Sequence, residues 1–161
     1  MYTMERKVDY VIKLKTSELK YDVKFDTWRK EVFTGADTAY DDDSAEDWLA
    51  RQIDSAVADI ESTLAWAVCR RTQGKAQTDA LDEMPKEWVI HLQFAPSWAG
   101  SIRALNSLAH RYAVAKVLYR WYLASDLRQQ AADQLSESDK LLDDIYCNAR
   151  SERVSLEPWR L

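Results

Sequence analysis

Glycine, proline and cysteine are all scarce in this chain. Three glycines and three prolines in 161 residues leave few turn-formers. That argues against many short strands and for a few long helices. So few glycines also exclude a phosphate-cradling loop and a dinucleotide fingerprint, and no nucleophile elbow is present. The two cysteines, Cys69 and Cys147, lie far apart and form no CxxC. A reduced, cytosolic history is expected rather than a disulfide framework. The two histidines, His91 and His110, form no HExxH and no cluster with zinc-ligand spacing. A transmembrane run is missing, because Arg111, Lys116 and Arg120 interrupt the longest apolar stretch. The opening residues MYTMERK contain no apolar h-region, so no signal peptide is expected. Basic excess is absent as well: the net charge is −5, which argues against a protein that coats nucleic acid.

What is present fits one domain over residues 1–161, long enough to bury a core without staples. Apolar content of 47% with 30% charged residues places the chain among globular rather than disordered sequences. Seven Trp and eight Tyr imply either a core rich in aromatics or an aromatic contact surface, since both types concentrate at interface hot spots. Charge is segregated. Residues 34–69 hold nine acids against Arg51 alone, whereas residues 101–125 hold Arg103, Arg111, Lys116 and Arg120 and no acid. The two stretches are expected to meet, within one chain or across a subunit boundary.

The organising stretch is Ser101 to Leu123, SIRALNSLAHRYAVAKVLYRWYL. Ile102, Leu105, Leu108, Ala109, Tyr112, Ala113, Val117, Leu118 and Tyr122 recur at helical spacing. A helix apolar nearly all round is expected to be central, with neighbours on several sides. Ahead of it, residues 8–15 read as a short strand or an ordered arm. Thr16 or Ser17 reads as an N-cap, with Glu18 in the first turn of a helix reaching about Phe33. Strand is the competing reading for KYDVKF. Gly35 to Asp43 reads as a loop, and Ser44 as the N-cap of a helix to about Cys69. Its stripe is Leu49, Ile53, Val57, Ile60, Leu64 and Val68. Residues 70–86 read as an exposed loop, and Trp88 to Phe94 as a short strand. A last helix spans about Leu127 to Arg150 with the stripe Leu127, Ala131, Leu135, Leu141/Leu142, Ile145 and Ala149. Residues 151–161 read as a C-terminal tail containing the extended VSL. The expected fold class is mainly α: a compact bundle of about four helices with one or two short β segments.

Few residues in the chain stand in patterns that carry chemistry. In the acidic run DDDSAED, Asp41, Asp43, Ala45 and Asp47 take the first four ligand positions of a calcium loop. Glu46 then stands where such a loop requires Gly, and Gln52 where it requires a bidentate Glu. Acids favouring a helix N-terminus are the plainer reading. His110 has no carboxylate on its own helix to orient it, so a packed or polar-face histidine is expected rather than a general base. His91 alternates with Ile90 and Leu92 and is expected to point out of its strand. Lys116 and Arg120 are i, i+4 neighbours. They either snorkel and meet acids of the 44–69 helix, or face a neighbouring subunit. Arg70, Arg71 and Lys75 read as a solvated basic cluster. The expectation is no enzyme, no cofactor and no metal.

Three segments read together carry a resemblance. They are LKTSELKYDVKFDTW, then EWVIHLQFAPSWAGSIRALNSLAHRYAVAKVLYRWYL, then the last helix leading into ARSERVSLEPW. The chain resembles the small α-helical head–tail connector (adaptor, or head-completion) proteins of tailed phages, as found in Bacteroidetes prophages. The stretch DDSAEDWLARQIDSAVADIESTLAW is also similar to the adaptor pattern, with its acidic start, its Ile53-Asp54 pair and its terminal aromatic. The loop at 70–85 and the strand after it are longer than in a minimal adaptor. The resemblance implies a virion structural protein, assembled in the bacterial host cytoplasm. It would associate with itself into a ring and contact other neck proteins (portal, tail-completion). It implies no small-molecule substrate, no membrane and no specific nucleic-acid binding. Candidate protein-interaction residues are Lys116, Arg120, Arg103, Asp47, Asp54 and Trp159. The alternative is a non-enzymatic helical interaction module, such as a tail-assembly or regulatory partner. A carboxylate-based enzyme and a DNA-binding protein rank below both.

Overall fold

The computed structural model describes residues 6–27, 42–73 and 85–152. The described chain is mostly helical, with a three-stranded antiparallel sheet in the order β1-β3-β2. Strand β1 spans Val8–Lys15 and alternates: Ile12 and Leu14 are buried while Lys13 and Lys15 face solvent. That period of two is what a strand with one face on the core requires. It pairs with β3, Glu87–Phe94, in a register that sets Val8 opposite Phe94 and Lys15 opposite Glu87. Trp88, Ile90, Leu92 and Phe94 bury the core face of β3.

Helix α1, Thr16–Asp22, follows β1 directly. Its N-cap is Lys15 rather than Thr16 or Ser17, and no side chain caps it. Thr16 is used otherwise: its N–H donates to the Lys86 carbonyl at 3.0 Å and its hydroxyl to the Pro85 carbonyl. The helix expected to reach Phe33 stops at Asp22. Lys24 then takes a left-handed φ of 56°, which breaks the helical hydrogen-bond ladder. Residues 25–27 turn helical again, and 28–41, which hold residues 35–41 of the expected 35–43 loop, lie outside the described residues; Asp42 and Asp43, the end of that expected loop, are helical.

Helix α2, Asp42–Thr63, begins two residues before Ser44, which therefore lies inside it. Its stripe follows the expected spacing from Leu49 to Leu64: Leu49, Ile53, Val57, Ile60 and Leu64 line the core, Leu64 in the turn that follows, while Val68, the last expected member, falls in a strand. The helix does not reach Cys69. Residues 64–67 turn, and strand β2, Val68–Gln73, takes up the expected helix end at Val68 and Cys69 and the start of the expected 70–86 loop. The polar RRTQ conceals a strand because its pairing is backbone to backbone with β3, interrupted by a register shift between Val68 and Arg70. The β content is thus a three-stranded sheet, not one or two short segments.

Helix α3, Ile102–Ala124, is the organising stretch, and Ser101 caps it by accepting the Ala104 N–H at 3.2 Å. It packs against α1, α2, β1 and the last helix, α4, Arg128–Ala149. Leu105, Ala109, Ala113 and Val117 are fully buried. On α4 the buried positions are Ala131, Ser138, Leu141, Ile145 and Ala149. Leu127 and Leu135, expected in that stripe, are exposed; Ser138 is buried instead and donates to the Leu135 carbonyl at 2.8 Å. One buried cluster joins sheet and helices. Among the described residues no helix is long and apolar enough to cross a membrane.

Candidate functional site

The acidic and basic stretches meet inside one chain, at the α2–α3 junction. Lys116 Nζ lies 3.0 Å from Asp59 Oδ2, and the Tyr112 hydroxyl donates to the same oxygen at 2.7 Å. The i, i+4 spacing on α3 puts Tyr112 and Lys116 on one face, so a single carboxylate reaches both. Lys116 is 17% exposed, which raises the value of the pair above that of a solvated one. Burial pushes the Tyr112 phenol well above its ordinary range. The hydrogen bond and charge of Asp59, and then Asp139, push the same way, while Arg120 opposes them.

The sequence-predicted residues do not form one site. Lys116 is engaged with Asp59. Arg120 is exposed, its guanidinium 5.9 Å from the Tyr119 ring centre. Arg103 is exposed in the first turn of α3, about 25 Å along the axis from Arg120 at 1.5 Å per residue. Asp47 is exposed on α2; Asp54, also on α2, is half-buried and has an interaction partner. Trp159 lies outside the described residues. Asp59, which ties the junction together, was not singled out in the sequence; the signal for it is the i, i+4 pair Tyr112 and Lys116, which calls for an acid opposite.

A second constellation lies between α1 and α3. His110 Nε2 meets Asp22 Oδ2 at 2.5 Å, so the orienting carboxylate missing from the histidine's own helix arrives from α1. The pair lines an open cleft of about 500 Å³ with Lys13, Ser17, Tyr21 and Ser107. Tyr21 at its rim is 82% exposed. Asn106 closes the β1 side of the cleft: its Oδ1 accepts the Lys13 N–H at 2.7 Å and its Nδ2 donates to the Val11 carbonyl at 3.2 Å. One amide side chain thereby stands in for a neighbouring strand.

A third constellation gathers where α4 ends. Trp98 Nε1 donates to the Asn148 carbonyl at 2.9 Å, and Trp98 stacks on Phe94 with ring centres 4.2 Å apart. Gly100 is required there, because a Cβ would stand 2.5 Å from the Asn148 carbonyl oxygen. Beside this clasp, Arg150 lies 3.7 Å over the Trp66 ring and 5.5 Å from that of Tyr146, and the two rings meet edge to face at 5.8 Å. Trp66, Tyr146 and Arg150 are all exposed. The aromatics therefore divide between core and surface: Trp88, Trp98 and Trp121 are buried, while Tyr21, Trp66 and Tyr146 face solvent.

Among the described residues, no group of three or more His, Cys, Asp or Glu side chains is arranged to hold a metal ion. In comparisons with known proteins, no family model, no curated protein and no solved structure matches the chain.

Proposed function

We propose that the chain is a phage or prophage virion structural protein, a head–tail connector (adaptor) subunit that joins a ring in the neck between portal and tail. Its partners in this reading are copies of itself and the adjoining portal and tail-completion proteins. It acts by contact rather than by catalysis. The observation that carries the reading is how exposed aromatic and aliphatic side chains are distributed. Tyr21 on α1, Trp66 after α2, Leu123 on α3, and Leu135 and Tyr146 on α4 all face solvent. Large apolar groups left on several elements suit a subunit with different neighbours on different sides, as a closed ring requires. We read α2, α3 and α4 as the main members of a bundle of about four helices. Asp133, Asp139, Asp143 and Asp144 are exposed on α4, an acidic surface that suits a channel through which DNA passes without sticking.

The test is mass spectrometry of purified particles induced from the source strain. A ring-like count of about a dozen copies per particle supports the reading. Particles that form without the chain, in cells that express it, overturn it.

Tyr21 at the mouth of the α1–α3 cleft favours a second reading, a helical interaction module that takes a partner segment there without forming a ring. Capture of one host or phage protein by the wild-type chain, lost in Y21A, together with absence from particles, would select it.

A further inference from the structure

The Trp66–Arg150–Tyr146 stack has the composition of an interface hot spot, where Trp, Tyr and Arg are enriched. Its arginine is held by the rings, 3.7 Å from one and 5.5 Å from the other. A guanidinium centred over an aromatic face still has N–H donors to offer a carboxylate. Among the described residues Arg150 makes no ion pair, although Glu152 lines the same small cleft. That cleft, about 180 Å³, is also lined by Lys7, Ser97 and Ser151. It is large enough for an acidic side chain and carries two cations to receive one.

The acid that fits lies at the other end of the same molecule. The first two turns of helix α2 are acidic in sequence, with Asp42, Asp43, Glu46 and Asp47. Glu46 is used internally, 2.7 Å from Lys20. Asp47 is exposed, with no ion pair among the described residues. It stands 16 residues before Thr63, the last residue of α2, about 24 Å at helical rise, and Trp66 lies in the turn beyond that end. The chain thus carries a cationic aromatic end and an acidic end that do not meet within one copy. Two different complementary surfaces make a head-to-tail contact, the kind that closes into rings.

We infer that the Trp66–Arg150–Tyr146 stack of one copy receives the acidic N-terminal end of α2, through Asp47, from the next copy. This names the contact by which the proposed connector ring closes, and it rests on that reading.

Complementary charge reversal tests it by sedimentation velocity, from micromolar to about millimolar protein and at low and high salt. The wild type is expected to self-associate, less so as salt rises. R150E alone sets acid against acid, and D47R alone sets cation against cation. Each is expected to weaken association at least tenfold. An equimolar mixture of the two restores it, because each reversed surface then meets its opposite. W66A is expected to weaken association without restoration by either partner. All three sites are on the surface, and far-UV circular dichroism verifies that each variant is folded. Association of either reversed variant at wild-type strength, a mixture that stays dissociated, or a wild type that is monomeric at millimolar concentration overturns the inference. The copy number in particles decides the connector reading separately, so either can fail without the other.

Discussion

Asp59 Oδ2 serves two donors, and the energetics of the α2–α3 junction follow from that. Y112F removes one donor while keeping the ring, so it is expected to cost about 1–2 kcal/mol in chemical denaturation. The phenol's raised pKa adds a pH dependence with a definite sign. The folded state holds the Tyr112 proton more tightly than the unfolded state, whose value is near 10.0. This contribution is therefore fully present below about pH 10 and is lost as pH rises towards the folded value. The expected outcome is that wild type and Y112F converge in stability above pH 10. A wild-type-minus-Y112F absorbance titration should place this phenol's ionisation above the ordinary range. K116M, which leaves Asp59 without its cation, is expected to cost about 1 kcal/mol, and a double-mutant cycle with D59N measures the coupling. The meeting of the two helices was legible as segregated charge. The residue that joins them was not, since nine acids between 34 and 69 look alike until the helix is docked.

Among elements, β1 is the instructive one. It lies at the sheet edge, and edges carry unpaired N–H and C=O groups that invite foreign strands. Asn106 satisfies two of them. N106A is expected to accelerate amide exchange at Lys13 and to cost about 1–3 kcal/mol in thermal or denaturant unfolding; unchanged exchange at Lys13 would refute the edge-sealing role. The long helices were readable because their periodicity is carried by side chains: the Leu49–Leu64 stripe and the 101–123 stretch appear where expected. Three features were not readable, each for a physical reason. Strand β2 is made by backbone pairing under polar side chains. Helix α1 ends at a backbone turn, Lys24, that no glycine announces. The α4 stripe is displaced because Ser138 satisfies its hydroxyl within its own helix and can be buried, leaving Leu135 outside. The interaction residues were legible only as types. Asp47 and Arg120 are exposed as a contact role needs, but the Trp66–Arg150 stack joins residues 84 positions apart in sequence.

At the scale of the whole molecule, the sheet and the helices share one buried cluster, and among the described residues no element holds a separate core. Unfolding is expected to be a single cooperative transition. Far-UV circular dichroism and the fluorescence of the buried Trp88, Trp98 and Trp121 should give coincident denaturant curves; separated midpoints would mean the sheet and the α3–α4 hairpin are independent units. The order of strands in the sheet has a consequence for synthesis. The first of the described strands to be made, β1, cannot pair until β3 has been made, and its sealing amide lies 93 residues further along the chain than Lys13. At about 5–20 residues per second, a nascent chain carries that strand unpaired for several seconds on the ribosome. Lys13 and Lys15, alternating with Ile12 and Leu14, keep the waiting strand charged on one face, where an all-apolar segment would recruit its neighbours on the same message.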